Sequence, residues 1–91
     1  MDIYFDWDSD KNEELIRIRG VSFEEIVAAI ENGDVLDVLE HPNKSKYAHQ
    51  MIYVLDVNGY VHLVPFVRDK NKIFLKTIIP SRKAQKKYLG K

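Results

Sequence analysis

The most pointed chemistry in this sequence is a cluster of fixed positive charge near its end, Ser81-Arg82-Lys83-Ala84-Gln85-Lys86-Lys87-Tyr88. On a helix, Arg82 and Lys86 stand four residues apart, as do Lys83 and Lys87, which makes a broad cationic face. Ala84 and Tyr88 would form the packing face. A planar guanidinium grips two phosphate oxygens at once, so Arg82 is the candidate for a specific phosphate contact. Lys76, on the adjoining strand, and Arg68 could extend the patch. Like charges four apart repel by about 0.2–0.5 kcal/mol per pair. The helix dipole favours Lys87 and Lys91 near the helix end by a similar amount. A solvated helix end is therefore physically comfortable as well, and the pattern alone leaves both readings open.

His41, His49 and His62 are the side chains that titrate near neutrality without help. None has the spacing of a helical metal site or belongs to an HExxH motif, so no metal is expected. His62 alternates with Val61 and Leu63 and reads as a sheet residue. His49 borders a polar loop containing Lys44 and Lys46 and is the candidate for proton transfer. There is no nucleophile elbow, no phosphate-binding glycine loop and no dinucleotide fingerprint, so no cofactor is expected. Phe5-Asp6-Trp7-Asp8 reads as an aromatic anchor followed by a helix cap rather than as a paired-carboxylate site. Tyr47, Tyr53, Tyr60 and Tyr88 could stack on unpaired bases, although tyrosine is enriched in sheets for packing reasons alone.

Charge is divided along the chain. Residues 1–40 hold twelve acids and three bases, and residues 41–91 hold two acids and eleven bases, so a formal net charge of zero conceals two opposed blocks. Nine of the eleven bases follow residue 67. The blocks could pair and cancel, or the molecule could be two-faced, with a basic surface for a polyanion; the concentration of bases favours the second. At 91 residues, 45% hydrophobic and 11% aromatic, the chain reads as a single domain, 1–91, rather than a disordered tail. The absence of cysteine excludes disulfides, thiolate metal sites and thiol nucleophiles. No apolar run suits a membrane span, and the acidic opening does not read as a secretory signal. A cytoplasmic location is expected.

The elements that must position these residues follow from caps and periods. Asp8 can cap a helix running to about Arg19, with Leu15 and Ile18 sharing a face with Trp7, and Gly20 suits its left-handed end. Ser22 and Glu25 read as a capping box, with Val21 and Ile26 as the staple, opening a second helix whose stripe is Phe23, Ile26, Val27 and Ile30. The period then changes to two. Strands are expected at Val35–Leu39, Met51–Val57, Tyr60–Val67 and Ile73–Ile79, with Asn58-Gly59 as a hairpin turn. Pro65 implies an edge, a bulge or a strand end. Ser81 caps a short last helix ending at Gly90. The order predicts an α+β fold: two N-terminal helices, a four-stranded antiparallel sheet covered by helices on one face, and a short C-terminal helix.

Two segments resemble a known family. Phe5-Asp6-Trp7-Asp8-Ser9-Asp10-Lys11, followed by Gly20-Val21-Ser22-Phe23-Glu24-Glu25, is similar to the opening of the BrnT-like toxins. Ile78-Ile79-Pro80-Ser81-Arg82-Lys83-Ala84 resembles that family's ending. Lys11 and Arg82 fall on motif positions, and Lys83 on the basic position that follows. Arg19 stands where the family motif has histidine, so no histidine role carries over there, and the basic tail is shorter here. The resemblance implies a compact RelE-like fold and the toxin of a type II toxin–antitoxin pair, a metal-independent endoribonuclease that inhibits translation. It also implies a cognate antitoxin, usually a ribbon-helix-helix protein, through which the complex binds operator DNA.

Metal-free RNA cleavage needs a group to take the 2′-hydroxyl proton, cations to stabilise the phosphorane and a proton for the leaving 5′-oxygen. Arg82 and Lys76 are expected to stabilise the phosphorane. Proton transfer falls to His49, or to Lys83 or Lys11 with a pKa lowered by neighbouring cations. Arg68, Lys83, Lys86 and Lys87 are expected to hold RNA. The alternatives are a non-catalytic nucleic-acid- or protein-binding module and a toxin of the same fold with a target other than RNA.

Overall fold

The computed structural model describes residues 2–47 and 49–90. In chain order the elements are β1 (Tyr4–Asp6), α1 (Ser9–Arg19), α2 (Phe23–Glu31), β2 (Val35–Glu40), β3 (Gln50–Val57), β4 (Tyr60–Asp69), β5 (Lys72–Leu75), β6 (Ile79–Pro80) and α3 (Arg82–Leu89).

Local chemistry sets the helix ends. The Asp8 carboxylate accepts from the amides of Asp10 and Lys11, and Gly20 closes α1 at φ +68°. Ser22 Oγ accepts the Glu25 amide at 3.1 Å, the forward half of the expected box. The two helices are then locked together by Asn12, a buried side chain of α1. Its Oδ1 accepts the Phe23 amide at 2.7 Å, and its Nδ2 donates to Glu24 at 2.8 Å. That bond holds the Glu24 carboxyl below its ordinary pKa, because it favours the charged form.

Strand order is β1-β5-β4-β3-β2, with β6 also paired to β4. The β3–β4 hairpin turns at Asn58 and Gly59, both at positive φ, as a two-residue turn of this hand requires. The sheet differs from the expected four antiparallel strands in two ways. First, β1 joins it as an edge strand parallel to β5, pairing Phe5 with Ile73. Second, the expected strand Ile73–Ile79 divides into β5, paired with β4 from Phe66 to Asp69, and β6, paired with Leu63 and His62. Pro65 lies at that division, inside the long central strand β4 rather than at an edge. The ladder on one side of β4 changes partner there, and the Pro65 carbonyl accepts the Lys76 amide at 2.8 Å. A residue with no N–H to offer is tolerated where its strand has no ladder acceptor to meet.

Helices cover both faces, another departure from the expected one-sided layer. Leu15, Phe23 and Ile26 of α1 and α2 pack with Leu55, Val64, Leu75 and Ile78 in the larger core. Ala84 of α3 packs with Val54 and Val61, which alternate with the first set along β3 and β4 and so belong to the opposite face. Ile18 does not share the buried face of Leu15: it is 62% exposed, and Asn12 takes the buried place beside Leu15.

Candidate nucleic-acid interface

Three residues, Ser81, Gln85 and Tyr88, fasten α3 to the sheet and its hairpin. Ser81 donates its amide to the Val61 carbonyl at 3.0 Å and accepts the Ala84 amide on Oγ at 3.1 Å. Gln85, buried, accepts the Val61 amide at 2.7 Å and donates to the Gly59 carbonyl at 3.3 Å. The Tyr88 hydroxyl donates to Asp37 Oδ2 at 2.8 Å. That bond is the main reason the Tyr88 phenol is pushed above its ordinary value of 10.0, because it favours the neutral form. A phenol raised in this way contributes stability below pH 10, and the contribution is lost as pH rises through its folded value. Tyr88→Phe is therefore expected to speed proteolysis of the C-terminal helix at pH 7 and to flatten its dependence on pH above 10. Limited proteolysis across that range measures both.

With α3 held by Ala84, Gln85 and Tyr88, its cations are left outward. Arg82, Lys83, Lys86 and Lys87 are all exposed. Among the described residues the ion pairs are Lys11–Glu14 at 3.1 Å, Lys44–Glu40 at 2.6 Å and Lys72–Asp6 at 3.4 Å. None engages Arg82, Lys83, Lys86, Lys87 or Lys76. Lys91 lies outside the described residues. Lys83 and Lys87 border a groove of about 150 Å³ between α3 and the sheet, floored by Leu39, Val54 and Leu63 and closed by Tyr88.

The ladder decides which other residues share this face. Paired residues project to the same side and alternate along each strand. Val54 pairs with Leu63, Ile52 with Pro65, and Val67 with Phe74, so Phe74 lies on the face that carries α3. Lys76 follows two residues on, and its Nζ lies 5.6 Å from the centre of the Phe74 ring. Lys76 and the α3 lysines thus occupy one side of the sheet. Arg68 does not join them. It pairs with Ile73, a residue of the larger core, and so projects to the opposite face, where its Nε donates to the Lys70 carbonyl at 3.0 Å. On that face burial pushes the Tyr53 phenol up, and the nearby Arg68 charge partly offsets it.

His49 is exposed and precedes Gln50, three residues from Ile52, the ladder partner of Pro65. That is roughly 10 Å of strand from the level at which Lys76 leaves the sheet, and farther from the end where α3 is anchored. Lys11 sits on α1, against the other core, with its ammonium held by Glu14. The structure therefore gathers Lys76, Lys83, Lys86, Lys87 and Arg82 toward one side, leaves His49 at the far end of β3, and sets Lys11 and Arg68 apart. The aromatic candidates are mostly engaged: Tyr53 stacks on Phe66 at 4.1 Å and Tyr47 lies tilted against His41 at 4.2 Å between ring centres. Among the described residues no three His, Asp or Glu side chains converge as metal ligands.

Arg19 was missed from the sequence pattern. Its guanidinium donates to the carbonyl of Ile78, in the crossing between Lys76 and Arg82, tying the end of α1 to the segment that carries both cations. The signal was its position, an arginine where the resembled motif has histidine.

No curated protein matches this sequence. A family model described as "Ribonuclease toxin, BrnT, of type II toxin-antitoxin system" matches residues 7–87, which includes α1, α2, the sheet from β2 onward and the cationic part of α3. The chain belongs to this family of ribonuclease toxins, whose members work with a cognate antitoxin.

Proposed function

We propose that this chain is a metal-independent endoribonuclease that inhibits translation in the cytoplasm by cutting RNA. The observation that carries the reading is the set of α3 cations without carboxylate partners, on the same sheet face as Lys76. In this reading the 2′-oxygen attacks the adjacent phosphorus and gives up its proton to a base. The 5′-oxygen leaves and takes a proton, giving a cyclic 2′,3′-phosphate and a free 5′-hydroxyl. Arg82 and Lys76 stabilise the charge that builds on the phosphorane. Lys83, Lys86 and Lys87 hold flanking phosphates. Lys83, on α3, is the candidate for exchanging protons with the ribose and the leaving oxygen, ahead of His49, which lies at the far end of β3. Lys11 is the weaker candidate, since it sits on α1 against the other core with its ammonium held by Glu14. The cognate antitoxin is a ribbon-helix-helix protein in this reading, and it brings the complex to operator DNA.

The purified chain, given RNA in the presence of a chelator, is expected to yield endonucleolytic products, and the product of the adjacent gene is expected to suppress them. Binding to a single-stranded oligonucleotide is expected to weaken by about 0.7 log units per log unit of salt for each phosphate engaged. Salt-sensitive binding with no cleavage at any pH would favour a non-catalytic binding module. Growth inhibition with intact RNA would favour a toxin with another target.

A further inference from the structure

Phe74 belongs to neither core. It is half-buried on β5, on the sheet face that α3 covers only near the hairpin. Val67 is its ladder partner and, like Ile52, is only partly buried. Two ammonium groups flank the ring: Lys72 Nζ lies 5.9 Å and Lys76 Nζ 5.6 Å from its centre. Lys72 is steadied by Asp6, which the β1–β5 ladder sets beside Phe74. A half-buried aromatic ring with two ammonium groups over it, outside both cores, matches the chemistry of one nucleotide and its neighbours. The base has a π face to stack, and the phosphates before and after it are anions.

We propose that Phe74 is a stacking platform for one unpaired base, with Lys72 and Lys76 taking the adjacent phosphates. The inference rests on the reading that the chain acts on RNA, and it narrows the substrate to single strands. Bases in a duplex already stack on one another and have no free face to give. Lys76 then serves two ends, fixing the strand beside the ring and facing the reacting phosphate.

The test is fluorescence anisotropy with a labelled single-stranded oligoribonucleotide and with the same strand annealed into a duplex. Phe74→Leu keeps an apolar side chain and removes the π face. It is expected to weaken single-strand binding about 5- to 150-fold, the factor that corresponds to stacking of one base, and to leave duplex binding within about twofold. Phe74→Trp is expected to hold or tighten the complex, and its added indole emission, read against the Trp7 background, is expected to be quenched by the single strand alone. If Phe74→Leu binds the single strand as the unmodified chain does, or the new indole is not quenched, the platform is overturned while the ribonuclease reading stands. If the unmodified chain neither binds nor cuts RNA, both are overturned.

Discussion

Replacing Arg82 with alanine is expected to lower the rate of RNA cleavage about 10²- to 10³-fold. That range is the usual cost of deleting one fixed donor from a site where negative charge builds in the transition state. The phosphorane carries charge on oxygens that a guanidinium can grip in pairs, and an ammonium cannot reproduce that fork. Arg82→Lys is therefore expected to fall between alanine and arginine. The fold has no stake in this side chain. It is exposed in the first turn of α3, and the cap of that helix is made by Ser81. The melting midpoint should accordingly change little, by the equivalent of about 0.5 kcal/mol at most. Single-turnover cleavage of a defined RNA, with growth after induction in cells, measures the effect. A variant within about twofold of the unmodified chain would place Arg82 outside the reacting centre.

The largest structural effect is expected at Phe23, where truncation to alanine should cost about 3–5 kcal/mol. The side chain is fully buried in the larger core. Its ring stacks on Trp7 at 5.7 Å between centres, and its amide is held by Asn12. Losing it removes the contact between the chain before α1 and the start of α2, and leaves a cavity that α1 and the sheet cannot both close. Small domains hold about 5–15 kcal/mol in all, so the variant is expected to be partly unfolded at growth temperature. Each lost kcal/mol lowers the midpoint by about 4–8 °C in a domain of this size. Denaturant unfolding followed by Trp7 fluorescence reports on the same contact. A loss under about 1 kcal/mol would mean that Trp7 and Asn12 do not depend on the ring.

Much of this was legible because it is written in short-range chemistry. Asp8, Ser22 and Ser81 cap where their side chains say they should, Asn58-Gly59 turns the hairpin, and the bases after residue 67 end in a helix whose cations stay outward. What was illegible depends on contacts between distant residues. β1 is three residues long, too short to show a period, and it exists only because β5 leaves an edge for it. The division of β5 from β6 cannot be seen in a continuous apolar run; Pro65 marked the place but not the reason. Which sheet face a residue occupies follows from ladder register, which separates Arg68 from Lys76 and puts Phe74 beside it. Arg19 reaches across 59 residues of chain to Ile78, a pairing no local rule supplies.

The parallel pairing of β1 with β5 has a consequence for how such a molecule is born. Tyr4 to Asp6 have no sheet partner until Lys72 to Phe74, far along the chain, are in place. Distant pairings of this kind form late and slowly. The sheet edge beside Phe74 is thus among the last parts of the molecule to be completed as it folds.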